Sequence, residues 1–198
     1  MANVDTPFGL RPVRYMSGAP YNGAVNAYST AAGDATAIFL GDPVIISGTA
    51  QTINGIVYQD VDQAATGDVI VGVVVGVDPS IGTGASGRDS AVHRLASTQR
   101  IVYVADDPNL LFEIQEVSGG TPLAAADIGL NANFVVAAGN ATTGLSGVEL
   151  NNGTEATTNT LDLQIVGFSN KIGNEVGEHA KWLVRINRHQ RANQVAGI

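Results

Sequence analysis

Asp68–Gly87 reads DVIVGVVVGVDPSIGTGASG, and its reading decides the fold. Gly82, Gly84 and Gly87 stand at G-x-G-x-x-G spacing after an apolar run, and RIVYVADD (100–107) ends some 20 residues later in Asp106 and Asp107. Strand, glycine turn and distal carboxylate are the outline of a dinucleotide site. That site needs the first glycine close behind the strand and a helix straight after the last one. Here Pro79 stops the strand and DPSI intervenes before Gly82. The following RDSAVHRLAS (88–97) lacks a strong apolar stripe. A doubly wound sheet also needs strands alternating with helices, which the rest of the chain does not offer. With 24 glycines in 198 residues, three fixed positions match easily by chance. We read 78–90 as a Gly/Ser-rich loop on a β body, mobile or partner-facing.

Outside this stretch the chain consists of short β-rich runs between turn residues, the pattern of an all-β sandwich or barrel. The runs are TAIFLGDPVIIS (36–47), GIVYQDV (55–61), DVIVGVVVGV (68–77), QRIVYVADD (99–107), NLLFEIQEV (109–117), ANFVVAAG (132–139), SGVELN (146–151), TLDLQIVGFS (160–169) and AKWLVRINRH (180–189). Asn54-Gly55 supplies the positive φ of a tight hairpin turn between two of them. In LDLQIVGF, Leu161, Leu163, Ile165 and Gly167 share one face. In KWLVRINR, Trp182, Val184 and Ile186 point one way, and Lys181, Leu183, Arg185 and Asn187 the other. One buried and one wet face suits an antiparallel sheet. One short helix has both end signals, with Thr121 as N-cap, Pro122 at the first position and Gly129 past the end; RDSAVHRLAS is a second candidate. The expected fold is an antiparallel β-sandwich, jelly-roll-like, with one or two short helices.

Residues 1–30 show no periodicity, and Pro7, Pro12 and Pro20 exclude a continuous helix or central strand. Their apolar side chains predict an extended N-terminal arm that orders against another surface, ahead of a body at 31–187 and a C-terminal arm at 188–198. Charge is sparse, 14% of residues, with a net of −8, and it is uneven. Residues 16–170 carry three basic side chains against fifteen acidic ones, while residues 171–198 carry five against two. An acidic body disfavours nucleic acid as a partner, since that binding rests on clustered Lys and Arg. Basic ends on an acidic body predict termini that dock on an acidic partner.

Chemistry-bearing clusters are scarce. Without cysteine there are no disulfides, thiolate nucleophiles or Cys-ligated metals. No G-x-S-x-G and no calcium-loop pattern occurs, and Asp106-Asp107-Pro108-Asn109 and Gly41-Asp42-Pro43 read as turns. His93, His179 and His189 lack motif partners and read as surface or interface residues. Trp182 reads as a core residue, with an interface anchor as the alternative. Neither catalytic, cofactor nor metal residues are expected. No apolar run approaches the ~18 residues of a membrane helix, and no secretory signal opens the chain, so a cytoplasmic origin and no membrane partner are expected.

Taken in order, NVDTPFGLRPVR, PYNGAVNAY, IFLGDPVI, STQRIVYVADDPNLLFEIQE, DIGLNANFV and AKWLVRINRHQ resemble the cement, or head-decoration, proteins of tailed bacteriophages. The resemblance runs from end to end and rests on the string of segments, none of them chemically specific. It implies a non-enzymatic structural protein on the outer capsid surface of the virion, often a dimer or trimer, that bridges neighbouring major capsid proteins. The residues expected to meet that partner are Phe8, Leu10, Arg11, Arg14, Tyr15 and Tyr21 from the first arm, with Arg185, Arg188 and Arg191 near the other end. A carbohydrate-binding β-sandwich or another virion component, such as a tail-tube protein, would share the composition.

Overall fold

A computed structural model describes residues 3–79, 92–192 and 197. The glycine motif at 82–87 and most of the loop at 78–90 lie outside them. The chain is all-β, with antiparallel sheets packed together. Its strands are β1 (Arg11–Tyr15), β2 (Asn26–Thr30), β3 (Pro43–Ile53), β4 (Ile56–Gln63), β5 (Gly72–Val77), β6 (Arg100–Ala105), β7 (Leu110–Gln115), β8 (Asn131–Ala132), β9 (Phe134–Val135), β10 (Glu149–Leu150), β11 (Leu163–Phe168) and β12 (Lys181–Ile186). Each of the nine β-rich runs contributes one strand, and Asn54-Gly55 closes the β3–β4 hairpin with φ of 52° and 81°.

One layer is a five-stranded sheet in the order β1-β7-β12-β11-β8. The strands between β1 and β7 in sequence form the other layer, which closes into a barrel, β2-β4-β3-β5-β6. Its interior is filled by Tyr28, Ile38, Val44, Val61, Val71, Val74, Val102 and Val104, one aromatic and seven β-branched residues that fit a pleated wall. Closure runs through one parallel pair, Ser29 against Asp60. Asp60 is buried and accepts hydrogen bonds there from Ser29 Oγ (2.5 Å), Thr49 Oγ1 (2.8 Å) and Gln51 Nε2 (3.0 Å). A buried carboxylate is tolerated when hydrogen-bonded in this way, and this one fastens the barrel seam.

The expected helix at 121–129 is a single 3₁₀ turn, Ala125–Asp127, with Asp127 Oδ2 accepting from Ala124 N (2.8 Å). Three alanines and one Asp give it no apolar stripe to bury, so it never lengthens. The described part of RDSAVHRLAS is not helical: Arg94 bridges Ile38 and Ser97 takes φ 54°. Among the described residues, no helix is long and apolar enough to cross a membrane.

The terminal stretches differ most from expectation. The described part of each lies on the chain's own body. Leu10 is 1% exposed in the sheet core, β1 pairs with β7, and β2 is a barrel stave. Pro12 sits on the sheet edge beside a bulge, where its missing N–H breaks no ladder. At the other end Ile70 N donates to Arg188 O (2.7 Å) and Gln190 N to Ile70 O (2.8 Å). Arg191 donates to Asp106 Oδ2 (2.5 Å) and to the Tyr28 hydroxyl (2.7 Å). Chiefly by burial, and then by its hydrogen bond to Asp106, the Tyr28 hydroxyl is pushed up to about 12.

Sheet and barrel meet where Gly9 crosses Gly41. Leu10 N donates to Gly41 O (2.9 Å), and Gly41 N donates to Val74 O in β5 (2.8 Å). Both glycines have positive φ, 70° and 96°. A Cβ on Gly41 would lie 2.3 Å from Phe8 O, and one on Gly9 would lie 2.4 Å from Gly41 O. Beyond the crossing, Trp182 is fully buried and donates from Nε1 to Glu116 Oε2 (2.9 Å), which also accepts from Leu123 N (3.2 Å). Glu116 Oε1 has no hydrogen-bond partner among the described residues. Burial pushes this carboxyl up to about 7, partly offset by those two hydrogen bonds.

Two predictions follow from this packing. Gly41→Ala combines a left-handed backbone with a clash against a carbonyl that cannot swing away, so it should destabilise by about 3 kcal/mol or more. Urea unfolding checks this, and an unchanged midpoint would refute it. Glu116 keeps its proton in the folded chain to about pH 7 but loses it near its ordinary value when unfolded. Its stabilising contribution is therefore full below that ordinary value and is lost as pH rises through about 7. Glu116→Gln should flatten the fall in melting temperature across that window and exceed the parent above it by roughly 1–3 kcal/mol. Equal pH slopes for the two proteins would contradict it.

Candidate interaction surface

Cross-strand register sorts the five-stranded sheet into two faces. Phe112, Ile114, Trp182 and Val184 point into the core. On the outer face, Arg11 stands opposite Glu113, which stands opposite Leu183. One row along, Arg14, Leu111, Arg185 and Gln164 lie side by side, and Lys181 faces Gln115. The bulge between Pro12 and Arg14 puts both arginines of β1 on this face.

Glu113 is the anchor. Its side chain is 1% exposed, accepts from Ser169 Oγ (2.5 Å), and pairs with Lys171 Nζ at 2.8 Å and Arg11 at 3.9 Å. Burial alone would raise this carboxyl. The hydrogen bonds from Lys171 and Ser169, with the charges of Lys171 and Arg11, overcome it and hold the group below its ordinary value. Glu113 is therefore a fixed anion that positions two cations. The Arg11 guanidinium also lies 4.3 Å over the Phe8 ring, a cation–π contact that limits its sweep.

These groups line an open cleft of about 650 Å³, bounded by Asp5–Phe8, the 138–147 loop and residues 171–174, with Lys181 in its wall. At one end Asp5, Glu149 and His179 offer ligand atoms within 4.8 Å of one another. The Gln115 amide already occupies that point. Its Nε2 donates to Asp5 Oδ1 and Glu149 Oε1, both at 2.9 Å, and its Oε1 accepts from Thr6 N (3.1 Å). The trio is a hydrogen-bonded hub around an amide.

The structure divides the residues expected from sequence to meet a partner. Arg11, Arg14 and Arg185 come together on the outer face. Phe8 (6% exposed) and Leu10 are instead buried in this chain, because the start of the chain is sheet and core and not a free arm. Tyr15 and Tyr21 lie with ring centroids 6.5 Å apart, tilted by 52°, and pack on the sheet core. Arg188 turns away to Asp162 (3.8 Å) and the Gly67 carbonyl, and Arg191 is tied to Asp106. Lys171, Lys181 and Glu113 were not singled out. Lys181 was visible on the wet side of its strand, but nothing in the sequence brings Lys171 to Glu113. Two of the three histidines also differ from expectation. His93 is buried and stacked on Phe39 at 4.4 Å, and His189 is buried with Nδ1 accepting from Arg191 N (3.0 Å). Asp106-Asp107-Pro108-Asn109 is the expected turn, with Asp107 Oδ1 accepting from Asn109 N (2.7 Å).

Comparison with protein-family models, with curated proteins and with solved structures gives no match.

Proposed function

We propose that this chain is a structural virion protein that coats the outside of a tailed-phage head and ties neighbouring major capsid proteins together. The observation that carries the reading is where the resembling segments fall. NVDTPFGLRPVR, STQRIVYVADDPNLLFEIQE, DIGLNANFV and AKWLVRINRHQ are far apart in sequence, yet they supply β1, β7, β8 and β12, four of the five strands of one sheet, while β6 from the second of them joins β2 and β3, to which PYNGAVNAY and IFLGDPVI contribute, in the barrel. The outer face of that sheet and its rim gather five of the ten basic side chains of an otherwise acidic chain around the buried β7 residues Leu111, Glu113 and Gln115. A protein that coats another benefits from such a face. Each contact contributes modestly, and simultaneous engagement of many linked sites raises the net hold. On this reading the copies associate as dimers or trimers, the bound state lies on the outer capsid surface, and no cofactor takes part.

Mixing the purified chain with undecorated heads of the same virus tests the reading. Co-sedimentation at a fixed number of copies per head, with density on the outer surface in electron cryomicroscopy, is the expected outcome. Density on the tail, or no co-sedimentation at any protein concentration, would overturn it.

A further inference from the structure

Both lysines of the chain, Lys171 and Lys181, stand on the outer face of the β1-β7-β12 sheet or at its rim, together with Arg11, Arg14 and Arg185. That is five of the ten Lys and Arg residues on one face of a protein whose net charge is −8. The acidic groups nearby are Glu113, whose charge is already committed to Lys171 and Arg11, and Asp5 and Glu149 at one end of the cleft, both accepting from the Gln115 amide. The side chains of Arg11 and Lys171 are still 54% and 56% exposed. Lys181 forms no ion pair among the described residues. Lys171 keeps ammonium protons beyond those that Glu113 takes, since each lysine carries three donors.

From this geometry we infer that the cleft beside Glu113 is a docking site for an extended acidic polypeptide segment of the partner, whose carboxylates pair with Lys181, Lys171 and Arg11. Charge complementarity selects the occupant. Two other polyanions fit less well. Nucleic acid would bring a continuous phosphate row against the acidic remainder of the chain. A glycan would want an exposed aromatic platform, and Phe8 lies beneath Arg11 while Trp182 is fully buried. The cleft's size, about 650 Å³, suits a few side chains and not a whole domain. Ile172, fully exposed at its mouth, offers an apolar contact beside the charges. Because Glu113 and Phe8 hold the cations in place, little side-chain freedom remains to be lost on binding.

This inference rests on the head-binding reading only for the source of the acidic segment, so its first test contains no heads. Fluorescence anisotropy with a labelled oligoglutamate peptide should give saturable binding at low salt that fades as salt is raised. Lys171→Gln/Lys181→Gln should weaken it about tenfold, with the melting temperature checked to show that the fold persists. Arg188→Gln, away from the cleft, should bind like the parent. Absence of binding at low salt, or equal binding by the double-lysine variant, would overturn the inference. So would tighter, lysine-dependent capture of dextran sulfate than of the peptide, because the face would then belong to a sulfated glycan. Heads bound equally well by parent and double variant would overturn this site while leaving the head-binding reading intact.

Discussion

The crossing of Gly9 over Gly41 is the constraint on which the two layers depend. Two backbones approach too closely there for any side chain on either of them. One hydrogen bond from Leu10 ties the entry of the sheet to the barrel, and another from Gly41 carries the tie into β5. Leu10 is thereby set in the core, Phe8 lies under Arg11, and β1 reaches β7 in the register that pairs Arg11 with Glu113. A slip of one residue in β1 would send both arginines to the other face. The basic surface is thus a consequence of a backbone contact made one and two residues before β1.

A chain with few charges spends many of them inside. Asp42, Asp60, Asp106, Glu113, Glu116 and Asp162 are buried, as are Arg94 and Arg100. Most sit where they stitch one element to another: Asp60 across the barrel seam, Asp106 between β2 and the C-terminal stretch, Glu113 under the outer face. Burial of a charge stabilises little in net terms, because desolvation offsets most of the attraction. What these groups give is discrimination, since each leaves a costly orphan if its partner is misplaced. Glu116, with one oxygen unpaired among the described residues, and Asp162, pushed up by burial to about 6, are where that discrimination costs stability near neutral pH.

Much of the strand inventory was legible in the sequence because a β-strand advertises itself locally. Trp182, Val184 and Ile186 alternate as they must, and Asn54-Gly55 marks its hairpin through backbone geometry that few other pairs adopt. Pairings between distant strands leave no such trace. The parallel contact of Ser29 with Asp60 closes the barrel by joining the end of the stretch read as an arm to a polar position of the run GIVYQDV. The start of the chain misled for a related reason. Its prolines and missing period describe an edge strand with a bulge as well as they describe an arm, and only the partner strand β7 distinguishes the two. On the outer face, Arg11, Arg14 and Arg185 were foreseeable as accessible cations, whereas the pairing of Lys171 with Glu113, in a cleft that Lys181 also lines, is a product of tertiary folding.

Chain order adds one consequence. The barrel strands β2–β6 are contiguous in sequence, while the sheet takes its first strand from before them and the others from after. During synthesis the barrel can close as soon as β6 has emerged. Strand β1 meanwhile waits for β7, and the sheet has no middle until β12, which follows all its other strands in chain order, is inserted between β7 and β11. A nascent chain thus carries a finished barrel with a loose apolar leader and half a sheet, a state in which exposed strand edges invite pairing with other chains. The proline of β1 and the arginines around it act in that interval as gatekeepers, keeping an unpaired edge soluble until its neighbour exists.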